Sequence, residues 1–219
     1  MYGNLLEKFE KDLYDNADKI AALPDLDITM LESSETVLVI MNMTNQYLKN
    51  SSDAYHDIIG IVEPVKNILE LCSSRNIKSI VFRDAHDENS TEFSYLPKHS
   101  LISSDESNVM KELSDTGGYT VIDKNSINAF HAPGFKNFLA ENKNIKNYIV
   151  CGTETDISVM NFCLTLKSYY DECNTDVNII VPYTAIETFD YGAHNNDISN
   201  VLAIVHMASQ GIEIVKEIV

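Results

Sequence analysis

Six short apolar runs, at 37–43, 77–82, 119–122, 148–151, 177–181 and 212–215, constrain the fold of this chain most. Their largely unbroken apolar character, rather than alternation, suits strands buried on both faces, as in a parallel sheet. The segments between them carry apolar residues at helical spacing. Residues 55–72 gather Ile58, Ile59, Ile61, Val62, Val65, Ile68, Leu69 and Leu71 on a wide face, with Pro64 expected to kink or delimit its start. Further helices are predicted over 135–142, 156–172 and 194–209, with a short one ending near Leu113 after a long polar loop. Strands and helices in alternation predict an α/β fold, a three-layer doubly wound sandwich with a mostly parallel central sheet.

At 219 residues the chain is long enough for one such domain and too short for two large ones. We therefore read 1–219 as a single domain in which residues 1–30 form an N-terminal helical extension. Leu5, Leu6, Phe9, Leu13, Ala17, Ile20 and Ala21 define a helix over 4–22 that Pro24 ends. Lys plus Arg number 16 against 33 Asp plus Glu, a net charge of −17 at pH 7. That balance argues against nucleic acid or anionic membrane as an electrostatic partner. No run approaches the roughly 20 apolar residues of a membrane-spanning helix, and residues 1–13 lack the apolar core of a secretory signal. Cys72, Cys151, Cys163 and Cys173 show no metal-ligand spacing, and two of them lie in apolar runs, as buried free thiols do. A cytoplasmic location is expected.

Ligands of parallel sheets bind beyond the C-terminal strand ends, so the polar residues there matter. Asn42, Asp84 with His86, Lys124 and Ser158 all stand at such ends, distant in sequence but expected to converge. In the stretch 147–170 the strand is expected to stop at Gly152, with Thr155 or Asp156 capping the next helix. Ser158 then falls in the first helical turn, where backbone N–H groups and the helix dipole favour negative charge. Asp84 and His86 are two apart and share one side of extended backbone. With His99 from the loop beyond, they make a carboxylate and two imidazoles able to hold Zn²⁺, Fe²⁺ or Mn²⁺.

The order of these motifs resembles the isochorismatase-like cysteine hydrolases, in particular their nicotinamidase-related branch. Residues 37–47 match the family's first strand and aspartate motif, Arg83-Asp84-Ala85-His86 its metal-site strand end, and Leu96-Pro97-Lys98-His99 the loop with the third ligand. Residues 124–130 match the catalytic-lysine motif, 152–159 the nucleophile turn, and 181–194 the last strand and the start of the next helix. The resemblance spans about residues 35–215 and implies amide hydrolysis by an Asp–Lys–Cys triad, a divalent metal at Asp84, His86 and His99, and self-association. It also implies a cis peptide shaping the oxyanion hole, which would join Thr153 and Glu154 here. Two triad positions depart from the pattern. The aspartate falls on Asn42 and the nucleophilic cysteine on Ser158, leaving Lys124 alone. Glu154 is also bulkier and more acidic than the small residue the family places there.

An amide cannot accept the proton that the aspartate takes, and a serine hydroxyl is far less acidic than a thiol of pKa about 8.5. The expectation is a catalytically impaired hydrolase or pseudoenzyme that keeps a metal and a site for a small amide or nicotinamide-like ligand. One alternative is an active enzyme with Ser158 as nucleophile and a neutral Lys124 as base. Another is a structural or regulatory subunit that uses its N-terminal helix and acidic surface for assembly.

Overall fold

The computed structural model describes residues 2–49 and 53–219. Its strands are β1 (Thr36–Met41), β2 (Lys78–Asp84), β3 (Thr120–Lys124), β4 (Asn147–Thr153), β5 (Asn178–Pro182), β6 (Ile186–Glu187) and β7 (Glu213–Val215). The helices are α1 (Tyr2–Ala21), α2 (Gln46–Lys49), α3 (His56–Gly60), α4 (Val62–Ser74), α5 (Lys111–Thr116), α6 (Pro133–Glu141), α7 (Met160–Glu172) and α8 (Asn196–Ser209). The seven strands form one sheet in the order β3-β2-β1-β4-β5-β7, with the short β6 on β4. Every ladder is parallel. This is the α/β architecture expected, with helices covering both faces.

The sheet faces explain why its strands read as unbroken apolar runs. All of β1 is buried. Val37, Val39 and Met41 point into a cluster with Phe135 of α6, Phe162 and Leu166 of α7 and Met207 of α8. Leu38 and Ile40 point the other way, to Val65, Ile68 and Leu69 of α4 and Leu113 of α5. Phe82, Phe135 and Phe162 meet with ring centroids 5.1–5.5 Å apart, and aromatic pairs of this kind each add about 0.5–1.5 kcal/mol beyond burial.

Chain order runs outward from the centre in both directions, β1 to β2 to β3 on one side and β4 to β5 to β7 on the other. The reversal between β1 and β4 opens a crevice at their C-terminal ends, the place where such sheets bind ligands. Contact at that seam is close because Met41 pairs with Gly152. A Cβ on Gly152 would lie 2.2 Å from the Met41 carbonyl oxygen, and its φ is +105°. Only glycine tolerates both.

Several expectations need correction. Strand β4 does not stop at Gly152 but runs through it to Thr153, since glycine is what lets β4 approach β1. The helix expected over 55–72 is two, α3 and α4, meeting at Ile61, and Pro64 sits in the first turn of α4, where its missing N–H costs no hydrogen bond. The short helix expected to end at Leu113 instead occupies Lys111–Thr116. Helix α1 packs on α8, while Leu6 and Phe9 stay exposed; the Leu5 side chain lies outside the described residues. Among the described residues no helix is long and apolar enough to cross a membrane.

Candidate active site and cation site

Four loops leaving the C-terminal ends of β1 to β4 build the site. Asn42 follows β1 directly, with φ +51°. Ser158 lies in a single wide turn, Thr155–Val159, that leads into α7. Both are 1% exposed. The Asn42 amide Nδ2 donates to Ser158 Oγ at 3.0 Å, across 116 residues of sequence. The Asn42 Oδ1 is buried with no hydrogen-bond partner among the described residues. Lys124, at the end of β3, donates from Nζ to Asp84 at the end of β2 and to the Ser126 carbonyl at 3.3 Å. The residues expected to converge do so.

The turn carrying Ser158 is not capped as expected. Glu154 occupies the cap position without a side-chain capping bond, and Asp156 is engaged elsewhere. One of its oxygens accepts from Thr188 Oγ1 at 2.8 Å and the other meets His194 Nε2 at 2.8 Å. His194 Nδ1 lies 2.8 Å from the Phe189 carbonyl, and its ring stacks on Phe189 at 4.1 Å. Burial opposes charge on His194, but its bonds to Asp156 and the Phe189 carbonyl outweigh that and raise the imidazole above its ordinary range. This set ties the Ser158 turn to the loop after β6, and nothing in the sequence spacing pairs Asp156 with His194.

Beside the Asn42–Ser158 pair lies a cavity of about 550 Å³ whose walls include Tyr47, Tyr55, Lys124, Glu154, Ser158 and Phe189. The Thr153–Glu154 peptide is cis. Glu154 faces this cavity, and burial, reinforced by the charges of Asp84 and Asp156 and opposed by Lys124, pushes its carboxyl up to about 7.

Of the expected metal-binding residues, His86 and His99 come together with ring centroids 4.7 Å apart. Asp84 is drawn onto Lys124, and its Oδ1 stands 3.6 Å from His86 Nε2. A residue not singled out in the sequence, Glu92, completes the cluster. Ligand atoms of His86, Glu92 and His99 all lie within 4.8 Å of one another. Glu92 sits in a tight turn, Thr91–Ser94, and loop turns carry no periodicity to betray it. The sequence pattern points instead to Asp84, two residues before His86, as the carboxylate.

The cluster is prepared for a divalent cation. His86 Nδ1 is held by Asn125 Oδ1 at 3.2 Å and His99 Nδ1 by the Pro97 carbonyl at 2.9 Å. Anchoring one ring nitrogen orients the other toward a metal. His86 Nε2 is then left buried without a hydrogen-bond partner among the described residues, 3.7 Å from Glu92 Oε2. The other Glu92 oxygen accepts from Ile127 N at 2.8 Å, fixing the carboxylate. Two imidazoles and a carboxylate suit Zn²⁺, Fe²⁺ or Mn²⁺. We predict that Glu92→Gln weakens zinc binding by at least about 10–100-fold, the loss that removing even an outer-shell partner of a ligand brings. Competition against a chromophoric chelator measures this, and unchanged affinity would remove Glu92 from the cluster.

Residues 36–210 match the Isochorismatase domain. The chain belongs to the isochorismatase family. Solved structures share its fold at low identity. N-carbamoylsarcosine amidase from Thermoplasma acidophilum is 19% identical, with a TM-score of 0.68 over 83% of this chain and 96% of that one. Pyrazinamidase of Pyrococcus horikoshii, solved in complex with zinc, is 18% identical with a TM-score of 0.67 over 83% and 99%. A cysteine hydrolase from Pseudomonas syringae pv. phaseolicola is 16% identical with a TM-score of 0.72 over 84% and 89%. No curated protein sequence matches the chain.

Proposed function

We propose that this is a nicotinamidase-related family member, a single domain with residues 1–30 as an added helical segment, whose triad positions are Asn42, Lys124 and Ser158. It binds a divalent cation and a small amide or nicotinamide-like ligand in the cavity, self-associates, and turns over amides poorly or not at all. The observation that carries this reading is the contact of an uncharged amide, not a carboxylate, with the Ser158 hydroxyl. The Asn42 side-chain amide lies 3.0 Å from Ser158 Oγ, and neither end of an amide can take up the proton that a nucleophilic hydroxyl must lose. A lost general base alone removes about 10²–10⁴-fold in rate, and exchanging thiol for hydroxyl weakens the same step.

A serine–lysine mechanism would need Lys124 at Ser158, but Lys124 directs its hydrogens to Asp84 and the Ser126 carbonyl. Sensitive ammonia-release assays with nicotinamide, pyrazinamide and N-carbamoyl compounds are expected to give rates at background. Robust turnover that Ser158→Ala abolishes would overturn the proposal.

A further inference from the structure

We propose that the ligand of this cavity is a small organic cation, an ammonium or an N-alkylated pyridinium, held by the Glu154 carboxylate beside the rings of Tyr47, Tyr55 and Phe189. The inference rests on the cavity being the binding site proposed above and names the charge of what enters it.

An account of the carboxylates around the cavity leads there. Asp84 is paired with Lys124. Glu92 accepts from Ile127 N and turns its other oxygen to His86. Glu106 accepts from Ser100 N at 3.0 Å. Glu154 is placed differently. Lys124 attracts it, but the Lys124 ammonium is directed at Asp84 and the Ser126 carbonyl. The remaining lysine of the cavity wall, Lys98, lies 6.0 Å from the centre of the Phe93 ring.

The aromatic wall points to the same chemistry. Tyr47 and Tyr55 meet edge to face at 5.4 Å, and Tyr55 meets Phe189 at 6.4 Å, so three rings form a continuous side of the cavity. Phe189 is braced from behind by the stacked His194. Burial and the nearby Glu154 carboxylate hold both tyrosine phenols above their ordinary range. Tyr47 is 1% exposed, and its hydroxyl lies beside the Glu154 carboxyl and the Gln46 side chain. Aromatic π-faces and a carboxylate around one space attract a cation, best when it is desolvated. Burial pushes the Glu154 carboxyl up to about 7, and a bound cation favours its ionised form. A neutral amide gains nothing from that ionisation, and an anion would be repelled by the ionised form. At about 550 Å³ the space suits a ligand with a single ring.

The test is calorimetry on the full-length protein with two near-isosteric probes, nicotinamide and the cationic 1-methylnicotinamide, plus benzyltrimethylammonium as a cation without an amide. We expect 1-methylnicotinamide to bind at least about tenfold more tightly than nicotinamide. In Glu154→Gln that preference should fall toward unity, and thermal unfolding checks that the variant is folded. Tyr55→Leu, at a partly exposed ring, gives a second reading and should lose part of the preference. Equal or tighter binding of nicotinamide, or a preference that survives in both variants, overturns the cation assignment and leaves the amide site standing. Binding of benzyltrimethylammonium with neither nicotinamide compound supports the cation assignment and defeats the amide reading. Silence of all three probes defeats both.

Discussion

Asn42→Asp combined with Ser158→Cys is expected to raise nicotinamide or related amide hydrolysis by at least about 10²–10⁴-fold over the natural chain, the usual contribution of a general base. Asn and Asp share a shape, so the new carboxylate should occupy the place now held by the Asn42 amide, 3.0 Å from the side chain at 158. There it would accept the proton that the present amide cannot take. A thiol at 158 ionises some orders of magnitude more readily than a hydroxyl, with a reference pKa of about 8.5. The two changes act on one proton transfer, so each alone should recover far less than the pair. Glu154 would still hinder the reaction, because a carboxylate beside the cavity repels the oxyanion that forms on the amide carbonyl. Adding Glu154→Ala to the pair should therefore raise the rate further. Stopped or continuous ammonia assays on the two single variants, the pair and the triple variant measure these steps. A folded pair that stays at background on the whole amide panel would mean the pocket has left amide chemistry altogether.

Which parts of this were legible beforehand follows from how each residue is specified. Strands β1, β2 and β4 are buried on both faces, and burial on both faces writes itself into sequence as an unbroken apolar run. Asn42 and Asp84 end two of those runs and Lys124 ends β3, so all three had to fall at one edge of a parallel sheet, and their convergence needed only the fold. Residues whose partners come from loops were a different matter. Glu92 acts through a four-residue turn whose position is fixed by its bond to Ile127 N, a contact 35 residues away. Asp156 looked like a helix cap because local rules see only its neighbours, whereas Thr188 and His194 claim both its oxygens. The two-residue strand β6 is too short for any periodicity to register. Gly152 was misread for a related reason: a glycine in an apolar run can mark either a turn or the close approach of another backbone, and its sequence neighbours do not say which.

That last residue supports the second large effect. Gly152→Ala should destabilise the fold by more than about 4 kcal/mol, the range reached only when a backbone or core requirement is broken. The added Cβ would meet Met41 O at 2.2 Å and Met41 N at 2.7 Å, both backbone atoms of the neighbouring strand, which cannot swing aside as a side chain would. A φ of +105° compounds the clash, because an L-residue with a side chain is strained there regardless of space. Relief would require β1 and β4 to part at the centre of the sheet, where each strand is buried on both faces. Asn42 and Ser158 hang from the two strands that would separate, so their 3.0 Å contact would be lost with the seam. Gly60→Ala is the control, since nothing lies within 4 Å of its built Cβ and its backbone is helical. That change should shift stability by less than about 1 kcal/mol. Urea unfolding followed by far-UV circular dichroism compares the two. A Gly152→Ala protein that unfolds within about 1 kcal/mol of the natural chain would show that β4 does not approach β1 as closely as the Met41–Gly152 pairing requires.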